Sequence, residues 1–167
     1  PTPFPTPAPD PVDLALEEMT VEQKVGQLLV AGIAGTRPGD DGAAAIQDYQ
    51  VGSIILFGRN VESAEQLAEL NNGLKALNGD YIPLFLCVDQ EGGRVDRMPA
   101  EGADLPPAHT FGSVYDAGLL QELGGTLGAQ CAAFGFNMDF APDMDVWSNP
   151  DNTVIGDRSY SSNPVHA

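Results

Sequence analysis

The sequence predicts an α/β protein built on a parallel sheet, and three observations carry that expectation. Short apolar, β-branched runs alternate about four times with amphipathic helical stretches. The run Val51-Gly-Ser-Ile-Ile-Leu-Phe57 is typical of a strand covered on both faces. The loops after the third and fourth strands are long, and long loops at one end of a parallel sheet are where function gathers. A (β/α) barrel and an open doubly wound sheet both fit. No G-x-G-x-x-G follows the first strand, which weighs against dinucleotide binding.

Taken in order, Pro1 to Pro11 alternates proline with small residues, so residues 1–17 are expected to be a flexible tether ahead of a domain at 18–167. Thr20-Val-Glu-Gln23 has the form of a capping box, with Val21, Val25, Leu28 and Leu29 following at helical spacing. Leu28–Ile33 then reads as the first strand, and Gly42–Tyr49 as a short helix. After the strand 51–57 comes the polar loop Gly58-Arg-Asn60. A second capping box, Ser63-Ala-Glu-Gln66, opens a helix carrying Leu67, Leu70, Leu74 and Leu77, stopped at Asn78-Gly79. Ile82–Val88 is the third strand. Asp116 starts a longer helix with an apolar face of Leu120, Leu123, Leu127, Cys131 and Phe134, ended by Gly135. Phe136–Phe140 is the fourth strand. Asn163-Pro164 reads as another helix start. A closed barrel takes ~250 residues, whereas ~150 follow the tether, so the expectation is the N-terminal half of a barrel.

Seven Lys plus Arg stand against 24 Asp plus Glu, a net charge of −17. Nucleic acid and anionic membrane surfaces, which call for clustered cations, are excluded as partners. No apolar run approaches the ~20 residues of a membrane span. The proline-rich start, without an initiator Met, fits an extracytoplasmic protein, secreted or held off an envelope anchor. Cys87 and Cys131 lie in apolar stretches and read as buried thiols, a bridge between them being the alternative.

The densest chemistry lies in Pro83-Leu-Phe-Leu-Cys-Val-Asp-Gln-Glu-Gly-Gly-Arg-Val-Asp-Arg97, where an apolar strand runs into carboxylates, a Gly pair and two arginines. Both lysines, Lys24 and Lys75, fall on predicted helices, while Arg37, Arg59, Arg94, Arg97 and Arg158 all fall in loops. Loop arginines do little for the solubility of an acidic chain, but they suit the holding of a polar ligand. Arg37 and Arg94 are expected to pair with nearby carboxylates instead. The competing reading of the whole segment is a solvated charged turn.

Five segments occur in an order that resembles glycoside hydrolase family 3. They are Met19-Thr-Val-Glu-Gln-Lys-Val-Gly-Gln-Leu-Leu29, Ile54-Ile-Leu-Phe-Gly-Arg-Asn60, Val88-Asp-Gln-Glu-Gly-Gly-Arg-Val-Asp-Arg97, Asn137-Met-Asp-Phe-Ala-Pro142 and Ile155-Gly-Asp-Arg-Ser-Tyr160. The resemblance is strongest to the bacterial β-N-acetylhexosaminidase branch and covers nearly everything from Met19 onward. It implies the N-terminal half of a (β/α)8 TIM-type barrel. It also implies a carbohydrate substrate bound by Asp89, Arg97 and Arg158, with no cofactor and no metal. The implied reaction removes terminal β-linked N-acetylglucosamine from peptidoglycan fragments or chitooligosaccharides by a retaining route.

The resemblance places a nucleophilic aspartate, a histidine acid/base and a sugar-contacting Lys-His pair in segments that do not occur in this chain, so no catalytic residue is assigned. His109 is expected to be a loop residue and His166 fits no motif. Glu91 is expected to stabilise the Gly-Gly turn, and Asp139, Asp143 and Asp145 to buttress loops and arginines, with a metal cluster of these acids as the rival. The isolated chain is expected to be inactive. Its partners would be the missing C-terminal half or a second copy. A β-glucosidase or xylosidase of the same family, and a non-catalytic carbohydrate-binding fragment, are the alternative functions.

Overall fold

The structure is a computed structural model that describes residues 10–79 and 81–166. Four strands, β1 (Val30–Gly32), β2 (Ser53–Ile55), β3 (Phe85–Val88) and β4 (Met138–Asp139), form one sheet in the order β1-β2-β3-β4, every pair parallel. A doubly wound sheet reverses its strand order at a switch point, whereas barrel strands follow one another in sequence. The consecutive order therefore selects the barrel arrangement of the two that the sequence permits. The register Gly32↔Ile55↔Cys87↔Met138 runs unbroken across all four strands.

Alternation along the strands separates two faces. Ile54, Leu86 and Val88 are fully buried against Leu67, Leu70 and Leu74 of α4 (Ala64–Asn78), with Ile33, Leu56 and Phe136 completing the core. The opposite face carries Ser53, Phe85 and Cys87, and Phe85 is 46% exposed. The α4 leucines recur three and four residues apart, which lines one face of the helix with apolar side chains. Asn71 on the same helix is fully buried and donates from Nδ2 to Phe134 O at 2.8 Å, tying α4 to the end of α6 (Ala117–Ala133).

The helix caps follow the sequence closely. Thr20 forms both halves of its capping box with Gln23 at the start of α2 (Val21–Gln27). Ser63 accepts from Gln66 N, but the Gln66 side chain turns away. Its Oε1 accepts from Glu62 N, while Nε2 donates to Thr36 O and Asn60 O. Asp116 caps α6 through Gly118 N and Leu119 N, and Leu123, Leu127 and Cys131 are its buried residues.

Several expectations are corrected. Residues 11–17, placed in the tether, belong to a helix, α1 (Pro11–Glu18). Asp10 caps it by accepting from Val12 N, and Pro11 sits at the first position, where no N–H is required. The rest of the expected tether, 1–9, lies outside the described residues. The first strand is shorter than Leu28–Ile33, because Leu28 N and Leu29 N still bond back to Val25 O and Gly26 O and so finish α2. The helix expected at 42–49 starts earlier, as α3 (Asp40–Ala43), and widens into a π-helical turn over Ala44–Asp48. Asn163 caps no helix among the described residues. It accepts from Val165 N and His166 N in a turn. Cys87 and Cys131 are free and buried, as buried thiols rather than as a bridge.

Candidate functional site

The site is built at the C-terminal ends of the strands, where β3 hands its chain to a loop. Asp89 is the first residue past β3 and continues the parity of Phe85 and Cys87. Its carboxylate is half-buried and enters none of the ion pairs formed among the described residues. Gln90 and Glu91 come next, both buried.

Gly92 and Gly93 then reverse the chain with φ of +82° and +56°, backbone that a side chain resists. A Cβ on Gly93 would lie 2.7 Å from Pro107 Cβ, so the site demands glycine for space as well. Glu91 N donates to Val95 O and Val95 N to Gly92 O, closing the turn. The returning strand of this turn brings Arg97 alongside Gln90, whose Oε1 accepts from Arg97 N at 2.8 Å.

The two predicted ligand-binding arginines differ in what they have left to offer. Arg97 Nε is buried with no hydrogen-bond partner among the described residues, where only Nη1 of its guanidinium makes a bond, a 3.5 Å contact with Asp96 O. Arg158, in the 3-10 turn Gly156–Arg158, is committed. Nε donates to Glu91 Oε2 at 2.8 Å and Nη2 to Glu91 Oε1 at 2.7 Å, a bidentate pair across 67 residues of sequence. Nη2 also faces Asp143 Oδ2 at 3.2 Å, and Nη1 donates to Val154 O at 3.3 Å. Of five N–H groups, one on Nη1 stays clear of protein acceptors among the described residues. The bond to Glu91 pushes the Arg158 pKa up, against burial, with the charges of Glu91, Asp143 and Asp89 adding to it.

Two assignments are extended. Glu91 supports the glycine turn through its backbone N–H, and its side chain holds Arg158 as well. Arg158, expected to bind the ligand, also forms ion pairs with Glu91 and Asp143. Arg94 and Arg59 make structural contacts. Arg94 bonds the carbonyls of Thr153, Val154 and Ile155 at 2.6 Å each and pairs with Asp157 at 3.2 Å, as expected of it. Arg59 lies 4.5 Å over the Phe57 ring and donates to Ile33 O. Arg37, expected to pair, enters no ion pair among the described residues.

The acids at the end of β4 and beyond it act as buttresses. Asp139 is in register with Val88, so it faces the helix layer rather than the Asp89 side. Its Oδ1 accepts from Gln90 N at 2.9 Å and its Oδ2 from the Cys131 thiol at 3.7 Å. Burial pushes its pKa up, the bonds from Gln90 and Cys131 oppose this, and the charges of Asp89 and Glu91 add to it. Asp143 Oδ1 accepts from Asp145 N, and Asp145 O accepts from the Ser159 hydroxyl. Among the described residues no group of three His, Cys, Asp or Glu is placed to hold a metal.

His109 lies in α5 (Ala108–Gly112), a short helix rather than a loop, edge-on to Trp147 at 5.5 Å. His166 packs on Tyr115 at 4.2 Å.

Gln90 is the residue the sequence motif conceals. It sits between Asp89 and Glu91, and an uncharged side chain in a charged motif gives no signal. Fully buried, it links Asp139 to Arg97. Asp89, Arg97 and Arg158 thus gather around one loop at the strand ends, two of them carried on that loop and the third bonded to it through Glu91.

Comparison with known proteins gives this arrangement its context. Residues 20–167 match the family described as Glycosyl hydrolase family 3 N terminal domain. The beta-hexosaminidase of Nitrosomonas eutropha is 37% identical over 142 residues, which is 81% of this chain and 40% of that protein. Beta-hexosaminidase LpqI of Mycobacterium tuberculosis is 36% identical over 151 residues, 88% of this chain and 37% of the relative. Among solved structures, a glycoside hydrolase family 3 beta-N-acetylglucosaminidase from Paenibacillus sp. superposes with a TM-score of 0.85 at 39% identity, covering 89% of this chain and 28% of that one. The chain spans less than half the length of each of these relatives.

Proposed function

Because the chain belongs to the glycosyl hydrolase family 3 N-terminal domain family, we propose that it serves a glycosidase releasing terminal β-linked N-acetylglucosamine. In this reading the chain supplies the rim that grips the sugar. Asp89 accepts from ring hydroxyls and Arg97 donates through Nη2, while Arg158 adds a single N–H. The nucleophilic aspartate and the histidine acid/base come from sequence outside these 167 residues. Hydrolysis proceeds through a covalent glycosyl-enzyme intermediate with retention. Peptidoglycan fragments and chitooligosaccharides are the substrate class, and an extracytoplasmic location accords with the former.

One observation carries the reading. A half-buried carboxylate and a guanidinium whose Nη2 makes no bond among the described residues stand on the same loop at the strand ends. A ligand rich in hydroxyls would satisfy both.

A chromogenic β-N-acetylglucosaminide tests it. The complete gene product is expected to turn the substrate over, and the isolated 167-residue chain is not. Turnover by the isolated chain would overturn the placement of the reacting groups outside it. Faster cleavage of the matching β-glucoside or β-xyloside by the complete product would replace the proposed sugar specificity with that of the family rival.

A further inference from the structure

We propose that Glu91 is a positioning residue, which presets the Arg158 guanidinium so that its one uncommitted N–H meets the bound sugar. This rests on the glycosidase reading and extends it to a side chain that need not touch the ligand.

Glu91 has a side chain only 6% exposed, and both of its oxygens are spent on Arg158. The bidentate geometry fixes the plane of the guanidinium as well as its distance, which a single contact cannot do. Asp143 at 3.2 Å and Val154 O at 3.3 Å close two further directions, so the clear Nη1 hydrogen has one orientation. Glu91 itself is held by the glycine turn through its own N–H to Val95 O. Gln90 fixes the backbone at Arg97, with Oε1 accepting from Arg97 N, while Glu91 fixes the guanidinium of Arg158.

A residue that only stabilised the fold would lower the amount of active protein and leave the affinity of the survivors unchanged. A positioning residue changes KM. The test measures kcat and KM for a chromogenic β-N-acetylglucosaminide on the complete gene product as wild type, Glu91→Gln, Arg158→Gln and the double variant, with thermal unfolding of each. Losing one charge-assisted hydrogen bond to the sugar should raise KM about ten- to a hundred-fold in either single variant, with kcat little changed. The double variant should be no worse than Arg158→Gln alone, because Glu91 acts only through that arginine.

Glu91→Gln places an amide against the guanidinium, which puts folding of that single variant at risk. The double variant replaces the charged pair by two neutral amides, so its comparison with Arg158→Gln decides the question by itself. Multiplying losses, or a lowered melting point with KM unchanged, would overturn the positioning role while leaving the glycosidase reading intact. Absence of turnover by the wild-type product would overturn both.

Discussion

Gly93→Ala should be among the more damaging small substitutions in this chain, and the structure sets its size. The residue has φ +56°, where a Cβ costs about 1–2 kcal/mol. The added methyl would lie 2.7 Å from Pro107 Cβ and 2.8 Å from Pro107 Cα. Proline is rigid and its Cα is backbone, so relief requires a shift of the chain, at about 1–3 kcal/mol. The two costs together come to about 3 kcal/mol. With a urea slope of about 2 kcal/mol per molar for a domain of this size, the unfolding midpoint should fall by about 1.5 M. Gly124→Ala is the internal control, since its Cβ meets nothing within 4 Å on an exposed turn of α6. There the methyl removes glycine's helix penalty, and the midpoint should rise by about 0.3–0.5 M. Coincident midpoints for Gly93→Ala and wild type would refute this account of the turn.

Asp139 has a raised pKa, so between its ordinary value of 3.8 and the higher folded value the native state binds more protons than the unfolded chain. Its contribution is therefore full at low pH and is lost as pH rises through that window. Asp139→Asn, which keeps an oxygen for Gln90 N, should remove this slope, as read from urea midpoints across pH; an unchanged slope would show that another group sets it. The Cys131 thiol is pushed up to about 12, by burial first and then by Asp139, and burial raises Cys87 as well. Neither should react with a disulfide reagent at pH 8 in the native state, and two thiols should titrate in urea without reductant. No titration in urea would show a bridge instead.

Much of this fold is legible in the sequence because its signals are local. The Thr20 and Ser63 caps, the leucine spacing of α4 and the stop at Gly79 are set within a few residues of themselves. Local patterns fail where distant partners decide. Leu28 and Leu29 look like strand residues, but their N–H groups complete α2. Residues 11–17 look like tether, yet Asp10 and Pro11 open a helix ahead of an apolar pair, Leu14 and Leu16. At the site, the motif resemblance points to Asp89, Arg97 and Arg158. Which arginine remains free to donate depends on Glu91, 67 residues from Arg158, and no local pattern encodes that pairing.

The strand-end loops are also stitched sideways, each to its neighbour. Asn60, fully buried after β2, donates to Ile33 O and Gly35 O beyond β1, and Gln90 and Glu91 beyond β3 reach Asp139 and Arg158 on the β4 side. In this chain a transplanted third loop would arrive without the acid that holds Arg158 in its neighbour. The practical unit of exchange is therefore the third and fourth loops together.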